Sequence, residues 1–192
     1  QVGVTAALGQ VANWADSSNN DRHMVQASTA EQPDYTPDTG VLTFVSANDE
    51  HLQTTIQISL TDDFTIGIRC TPSAFSNTLI GDNTTTNEFF KFTDNVNLRV
   101  KIDGGTANLS LDSGTFGDDY LVVSRSSDVL RLYHNGELQT GTPTLAGTAD
   151  IDAIGIRAVD QNGYDGTIKE IQIFNETSAT LISNINTRLS TL

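Results

Sequence analysis

Apolar and polar residues alternate regularly between positions 64 and 71. The apolar positions are Phe64, Ile66, Ile68 and Cys70, and the positions between them hold Thr65, Gly67, Arg69 and Thr71. Because successive side chains of a β-strand point to opposite faces, this pattern predicts a strand with one apolar and one polar face. Cys70, the only cysteine, continues the apolar face, so we expect a buried and unreactive thiol.

A second alternating stretch predicts a hairpin. Its apolar positions are Val96, Leu98, Val100 and Ile102 in the first strand and Ala107, Leu109 and Leu111 in the second. The turn between them is Asp103-Gly104-Gly105, and glycine readily adopts the positive φ angles that tight turns need. Shorter strands are predicted over Val11–Trp14, Val41–Val45, Thr78–Ile80, Glu88–Thr93 and Ile151–Ala158.

Residues 120–138 predict a further hairpin at the centre of the fold. Two β-prone runs, Tyr120–Arg125 and Val129–His134, precede Asn135-Gly136. This dipeptide favours a two-residue type I′ turn, because both residues tolerate positive φ. The apolar residues of the second run point to both faces, which predicts a strand inside a layered body and not at an exposed edge.

Two features are predicted near the C-terminal end of the sequence. The apolar positions change from even-numbered to odd-numbered residues between Ile168 and Ile171, which predicts a β-bulge near Lys169-Glu170. Apolar residues then recur at helical spacing behind the candidate caps Thr177 and Ser178. These residues predict a short helix over about 178–191 that packs against the strands.

Together these elements predict an all-β protein. Roughly ten to twelve strands at short, regular spacing are typical of a sandwich. We therefore expect a two-sheet antiparallel jelly-roll sandwich with a short C-terminal helix, formed by residues 1–192 as a single domain. Residues 1–40 show little periodicity and are expected to be mostly irregular.

Composition excludes several classes of partner. The net charge is −14 and the isoelectric point is near 4.2, whereas nucleic-acid binding needs clustered Lys and Arg. No apolar run approaches the roughly 20 residues of a membrane span, so no membrane insertion is expected. A single cysteine allows no intrachain disulfide. Because the sequence starts with Gln1, we expect a processed chain or a piece of a longer protein.

Three stretches carry a family resemblance. The strand LVVSR followed by LRLYHNGEL resembles the central hairpin of concanavalin A-like (laminin G-like) sandwiches. Val11–Asp16 with Gln32-Pro33-Asp34-Tyr35 resembles the opening of many single-domain members from phage and bacterial proteins. Tyr164–Ile168 through Ile173–Asn175 resembles their last strand, which a short helix usually follows. The resemblance implies this fold but no single function, because lectins, adhesion modules, hydrolases and virion proteins share it.

The acidic and histidine residues do not form a catalytic pattern. Glucanases that share this fold usually carry Glu-x-Asp-x-Glu on one strand, because glycosidic hydrolysis needs two facing carboxylates. None of the six glutamates forms that pattern: Glu31, Glu50, Glu88, Glu137, Glu170 and Glu176. The three histidines are scattered among turns. We therefore expect no enzymatic activity.

Calcium is the one cofactor that the sequence favours. Its oxygen ligands could come from two acidic loops, one with Asp82 and Asn87 and one with Asp160, Asn162 and Asp165. The alternative is that these residues are solvated turn residues without a metal.

Three loop aromatics are candidate carbohydrate-binding residues. Trp14, Tyr35 and Tyr164 each lie in or beside a predicted loop, where an exposed ring could stack on a sugar. For Trp14, the alternative is that the ring anchors its segment on the core.

Two functions fit these observations. The first is a structural or adhesion module of a virus particle, such as a phage tail fibre, spike or capsid-surface protein. Its partners would be other virion chains or copies of itself. The second is a carbohydrate-binding module of a secreted bacterial protein, which would bind surface glycans. The phage-like opening segment and the acidic composition favour the first, and the expected location is the virion surface or the extracellular space.

Overall fold

The computed structural model describes residues 4–7, 9–18, 20–87, 89–158 and 162–192, and within these ranges the chain forms sixteen strands and one α-helix. The strands are β1 (Val4–Ala7), β2 (Gln10–Trp14), β3 (Met24–Val25), β4 (Asp34–Thr36), β5 (Val41–Phe44), β6 (Leu52–Leu60), β7 (Phe64–Pro72), β8 (Asn77–Gly81), β9 (Phe89–Phe92), β10 (Asn97–Ile102), β11 (Gly105–Ser110), β12 (Asp119–Ser126), β13 (Val129–His134), β14 (Glu137–Leu138), β15 (Ala149–Ile154) and β16 (Gly166–Phe174). Helix α1 covers Ala179–Leu189, and two short 3-10 turns cover Thr29–Glu31 and Ser46–Asn48.

The strands form one continuous antiparallel path that folds into two layers. Layer one has the order β11-β10-β9-β8-β15-β6, and layer two has the order β5-β16-β7-β12-β13-β14. The short strands β3, β2 and β4 connect the layers, and β1 pairs with β2. Phe64 of layer two meets Phe90 of layer one across the core, with ring centroids 6.2 Å apart. This arrangement confirms the predicted all-β sandwich.

The apolar face of β7 lies in the core, as its alternating pattern predicts, but its other face is not fully solvated. Phe64, Ile66, Ile68 and Cys70 are at most 2% exposed. Cys70 is unpaired, and burial raises the pKa of its thiol to about 12, which disfavours the reactive thiolate. The opposite face of β7 was expected to be polar and solvated, but Gly67 is buried there as well.

Helix α1 is the reason that the second face of β7 is buried. Ser178 caps the helix, because its Oγ accepts a hydrogen bond from the N–H of Leu181 at 3.1 Å. The helix then packs Ile185 and Leu189 against layer two. At Gly67 of β7, an added Cβ would lie 2.3 Å from Cγ2 of Ile185 and 3.2 Å from Cδ1 of Leu189. The absence of a side chain at Gly67 therefore allows the close approach.

The central hairpin confirms the predicted turn and the predicted interior position of β13. Asn135 and Gly136 have φ angles of 51° and 86°, and His134 pairs with Glu137 as expected. Strand β13 pairs with β12 on one side and with β14 on the other, which confirms the prediction of an interior strand. Strand β14 ends layer two, and its Leu138 is 50% exposed. The outer face of β13 is apolar because Tyr133 packs against the cluster around helix α1.

Residues 1–40 are more regular than expected. They contain β1 to β4, which have two to five residues each, and Val11 of β2 is fully buried. Val25 of β3 pairs with Gln53 of β6, so this segment joins the layers. Such short strands offer too few positions for an alternating pattern to show.

Two further strand predictions have different outcomes. The register of β16 against β7 shifts between Ile168 and Glu170, which confirms the predicted bulge. The strand predicted over Ile151–Ala158 ends at Ile154 instead, because Gly155 has a φ of 88° and turns the chain. An added Cβ at Gly155 would lie 2.9 Å from the ring of Phe44.

A charged side chain, Arg125 of β12, lies in the interior and is 1% exposed. Its Nε donates to the carbonyl oxygen of Asp62 at 2.8 Å, Nη1 to Gly147 O at 2.7 Å and Nη2 to Leu60 O at 3.1 Å. Its guanidinium lies 4.8 Å from the centroid of the Phe64 ring. Arg125 thus ties β12 of layer two to the turn after β6 and to the segment before β15.

Helix α1 is short, and no helix in the described residues is long and apolar enough to cross a membrane.

The packing of α1 on Gly67 predicts a coupled pair of substitutions. We expect Gly67→Ala to lower the free energy of unfolding by about 1–3 kcal/mol, because the new methyl group overlaps Ile185. Ile185→Ala alone should cost about 2–5 kcal/mol. Since the two changes share one contact, the double variant should lose less than the sum of both. Urea unfolding of the four proteins measures this, and additive losses would contradict the packing.

The buried Arg125 predicts a large loss on its removal. Arg125→Leu should lower the free energy of unfolding by about 3–5 kcal/mol, because several main-chain carbonyls lose their donor. Arg131→Leu is the matched control, since Arg131 is exposed on the adjacent strand β13 and should change stability by less than about 0.5 kcal/mol. Similar losses in both variants, measured by urea unfolding, would show that Arg125 does not hold the layers.

Candidate functional site

The three predicted stacking residues lie in different environments. Trp14 and Tyr35 are half-buried and pack against the core. Tyr164 is fully buried, with its ring centroid 6.0 Å from that of Phe44 in an edge-on contact. It lies two residues before β16, and its N–H donates to Gly155 O at 2.7 Å, which draws it into the core. Tyr164 therefore offers no ring face to a ligand, contrary to prediction.

Trp14 and Tyr35 do not form one platform. Strands β2 and β4 pair only at Gln10 and Asp34. Trp14 lies four residues beyond Gln10, and Tyr35 lies on the other side of the paired position. The two residues are thus five positions apart, and at about 3.3 Å per residue their Cα atoms are roughly 16–17 Å apart along the strands.

In the first predicted calcium loop, the carboxylate of Asp82 is occupied by protein donors. Asp82 is 3% exposed and accepts hydrogen bonds from Nε2 of Gln57 at 2.8 Å and from N and Oγ1 of Thr84, both at 2.6 Å. Asn87 is exposed, and its main-chain carbonyl oxygen accepts a hydrogen bond from Gly104 N at 3.2 Å. These contacts are typical of side chains that stabilise turns.

The second predicted loop is similarly occupied. The carboxylate of Asp165 accepts from N and Oγ of Ser46 at 2.8 and 2.6 Å, and from Nδ2 of Asn77 at 3.1 Å. Oδ1 of Asn162 accepts from Nζ of Lys91 at 3.0 Å.

The remaining predicted ligand, Asp160, lies outside the described residues. Among the residues that are described, no group of three or more His, Cys, Asp or Glu side chains could hold a metal ion. Calcium binding stays a prediction of the sequence, and the contacts of Asp82 and Asp165 favour the alternative of turn residues without a metal.

Two partly buried acids have raised pKa values without forming a catalytic pair. Burial raises the pKa of Asp152, and the nearby Asp82 raises it further. Oδ1 of Asp152 accepts from Asn83 N at 2.7 Å. Burial also raises the pKa of Glu50, which accepts from Val45 N at 2.8 Å. Both carboxylates thus bind main-chain donors and stabilise turns.

The outer face of layer one carries a group of basic side chains. Lys91 of β9 lies directly opposite Arg99 of β10, which lies opposite Asn108 of β11. Nε of Arg99 donates to Oδ1 of Asn108 at 3.2 Å. Lys101 lies two residues farther along β10 and therefore on the same face. We call Lys91, Arg99, Lys101 and Arg157 the cationic face.

Arg157 reaches this face from the segment after β15. Its guanidinium carbon is 4.4 Å from the centroid of the Phe89 ring, and Nζ of Lys101 is 5.8 Å from the same centroid. Gly81 of β8 leaves room for this segment, because an added Cβ would lie 2.7 Å from Ile156 O and 2.9 Å from Cβ of Arg157. Cation–π contacts therefore position both cations over Phe89.

The cationic face has no carboxylate partner in the described part of the chain. The salt bridges found there join Arg69 to Asp118, His134 to Asp119, and Arg188 to Glu170. Burial lowers the pKa of Lys91, and the charges of Arg157 and Arg99 lower it further. Burial and the charge of Arg99 likewise lower the pKa of Arg157. Like charges thus face one another, and no ion pair within the described ranges compensates them.

Sequence reasoning missed this face because it depends on strand order. The polar positions Arg99 and Lys101 are visible in the alternation of β10. The position of Lys91 beside Arg99 depends on the register of β9, and Arg157 comes from a distant part of the chain. A count of basic residues on polar strand positions was the only available signal.

Comparisons with known proteins identify the fold. No family model matches this chain, and no curated protein matches it. Trypanosoma rangeli sialidase in complex with sialic acid aligns with a TM-score of 0.62 and 14% identity, over 97% of this chain and 32% of the sialidase. Domain 4 of AbnA, an extracellular GH43 arabinanase from Geobacillus stearothermophilus, in complex with arabinotriose, aligns with a TM-score of 0.54 and 12% identity, over 76% of each chain. The chain thus spans about a third of the sialidase, and at these identities the likeness shows the fold alone.

The contacts of Asp165 predict a calcium-independent role. Asp165→Ala should lower the free energy of unfolding by about 1–3 kcal/mol, because the Ser46 N–H loses its acceptor. Asp38→Ala is the control, since Asp38 is exposed. Melting temperatures are measured in millimolar calcium and in chelator, and we expect no difference for the wild type. A calcium-dependent rise that Asp165→Ala abolishes would show a metal site instead.

Proposed function

We propose that this chain is a non-catalytic carbohydrate-binding module of an extracellular protein. The observation that carries the proposal is the cationic face, where basic and amide side chains project side by side from an open sheet. Arg99 and Asn108 are already joined there by a hydrogen bond. Sugars bind to proteins through directional hydrogen bonds to their ring substituents, and such a row of donors and acceptors suits them.

The structural comparisons support this proposal over the virion reading. The aligned sialidase and arabinanase domain structures were determined with sialic acid and with arabinotriose. The comparisons offer no support for a phage tail fibre, spike or capsid-surface role. Carbohydrate binding, the second reading of the sequence, therefore becomes the first.

The non-catalytic part of the proposal rests on the acidic residues. Cleavage of a glycosidic bond by hydrolysis needs an acid and a second carboxylate that face the same bond. Asp82 and Asp152 are close enough to interact electrostatically, but their oxygens accept hydrogen bonds from Thr84 and Asn83. We therefore propose binding without turnover.

Affinity gel electrophoresis tests the proposed function. The native protein is run through gels that contain arabinan, dextran, polygalacturonate or dextran sulfate, with a polysaccharide-free gel as the control. We expect slower migration with at least one polysaccharide and no protein-dependent release of reducing ends. Unchanged migration in every gel, or release of reducing ends, would contradict the proposal. Assembly into large particles without polysaccharide binding would favour the virion reading.

A further inference from the structure

We propose that the cationic face binds an acidic polysaccharide, through the carboxylate or sulfate groups on successive sugars. This inference rests on the proposed function and names the site and the ligand class. The anionic groups would contact Lys91, Arg99, Lys101 and Arg157, and neutral ring hydroxyls would contact the neighbouring amides.

Basic charge is concentrated on the cationic face. The chain has ten basic residues and a net charge of −14, yet four of the ten lie on this one face. Lys91 and Arg99 are directly paired across β9 and β10, so their Cα atoms are about 5 Å apart. Lys101 and Arg157 share the ring of Phe89. Four cations within such a small area of an acidic protein are not explained by solubility.

The cations of this face have no acidic partner among the described residues. No salt bridge in the described residues includes any of the four cations. The Nε of Arg157 is buried and has no hydrogen-bond partner among those residues. All four side chains are half-buried, so their stems are held in place while their charges repel one another. A bound anion would relieve this repulsion, and little side-chain entropy would be lost on binding.

The side chains of the cationic face match the chemistry of an anionic sugar. An arginine guanidinium presents parallel N–H donors that match a carboxylate or a sulfate ester, and a lysine ammonium adds a compact positive charge. Asn108 projects beside Arg99, and Asn162 accepts a hydrogen bond from Lys91. These amides can bind ring hydroxyls between the charged groups. A polysaccharide with one anionic group on each sugar fits such a mixed surface.

Nucleic acid fits less well than a polysaccharide. A duplex carries one charge for about every 1.7 Å of its axis and contacts many phosphates at once. Beyond the four cations, this chain has 24 acidic residues that would repel so dense a polyanion. Screening limits that repulsion to about 8–10 Å in ordinary buffers, so a short stretch of moderately charged polysaccharide can still bind.

The experiment uses ligand pairs that differ only in charge. Polygalacturonate is compared with its methyl ester, and dextran sulfate is compared with dextran. Duplex DNA is included as an unrelated polyanion. Affinities of the native chain are measured by isothermal titration calorimetry in low and moderate salt. We expect binding to at least one charged member, no binding to its neutral counterpart, and weaker binding as the salt concentration rises.

Charge reversal then locates the site. Arg99→Glu should weaken binding at least about tenfold, because one attraction becomes a repulsion. Arg131→Glu is the matched control. Like Arg99→Glu, it changes the net charge from −14 to −16, but it does so at an exposed position of layer two. It should alter the affinity by less than about twofold. Lys101→Glu provides a second variant should Arg99→Glu fail to fold, and melting temperatures confirm that each variant is native.

The outcomes separate the inference from the proposed function. Equal binding of a charged polysaccharide and its neutral counterpart would overturn the inference and leave the carbohydrate-binding function intact. Equal weakening by Arg99→Glu and Arg131→Glu would overturn the assignment of the site. Tighter binding of DNA than of either charged polysaccharide would overturn the ligand class. Absence of binding to any polysaccharide would overturn both proposals.

Discussion

One buried cation constrains how the two layers meet. Burial lowers the pKa of the Arg125 guanidinium, and isolated buried charges are costly, so each donor of this side chain must have an acceptor. The acceptors are main-chain carbonyls of residues 60, 62, 145 and 147. These carbonyls belong to segments at the end of layer one, and their positions are therefore set by β12 of layer two. The guanidinium also covers Phe64, whose ring meets Phe90 across the core.

Sequence periodicity predicts the strands that alternate over several residues. It does not predict burial or side-chain contacts that depend on the order of the strands in the sheet. The turn at Asn135-Gly136, the bulge beside Lys169 and the helix capped by Ser178 could all be predicted locally. Arg125 could not be predicted as buried, because its acceptors come from distant segments. The same holds for the candidate site. Two of its four cations lie on one predicted strand, whereas their association with Lys91 and Arg157 is a property of the folded sheet.

The candidate site also differs in kind from the one expected. Exposed loop aromatics were expected, but Tyr164 is buried, and Trp14 and Tyr35 pack against the core. The outer face of layer one is a more suitable surface, because helix α1 packs on the outer face of layer two. Solvent-accessible outward positions such as Arg99 and Asn108 can therefore vary with little loss of stability. A sandwich of this kind can acquire a ligand specificity by substitution at those positions alone.

The position of β16 has a consequence for biosynthesis. This strand lies between β5 and β7 in layer two, although both partners precede it by a long stretch of sequence. While the chain is being translated, β5 and β7 therefore have unpaired edges, and the face of β7 that receives helix α1 has no cover. Unpaired edges and bare apolar surface are the features that promote aggregation of nascent chains. Strand β16 can pair with β5 and β7 only after residue 174 has left the ribosome. Before then, these unpaired edges are the part of the chain that molecular chaperones have most need to cover.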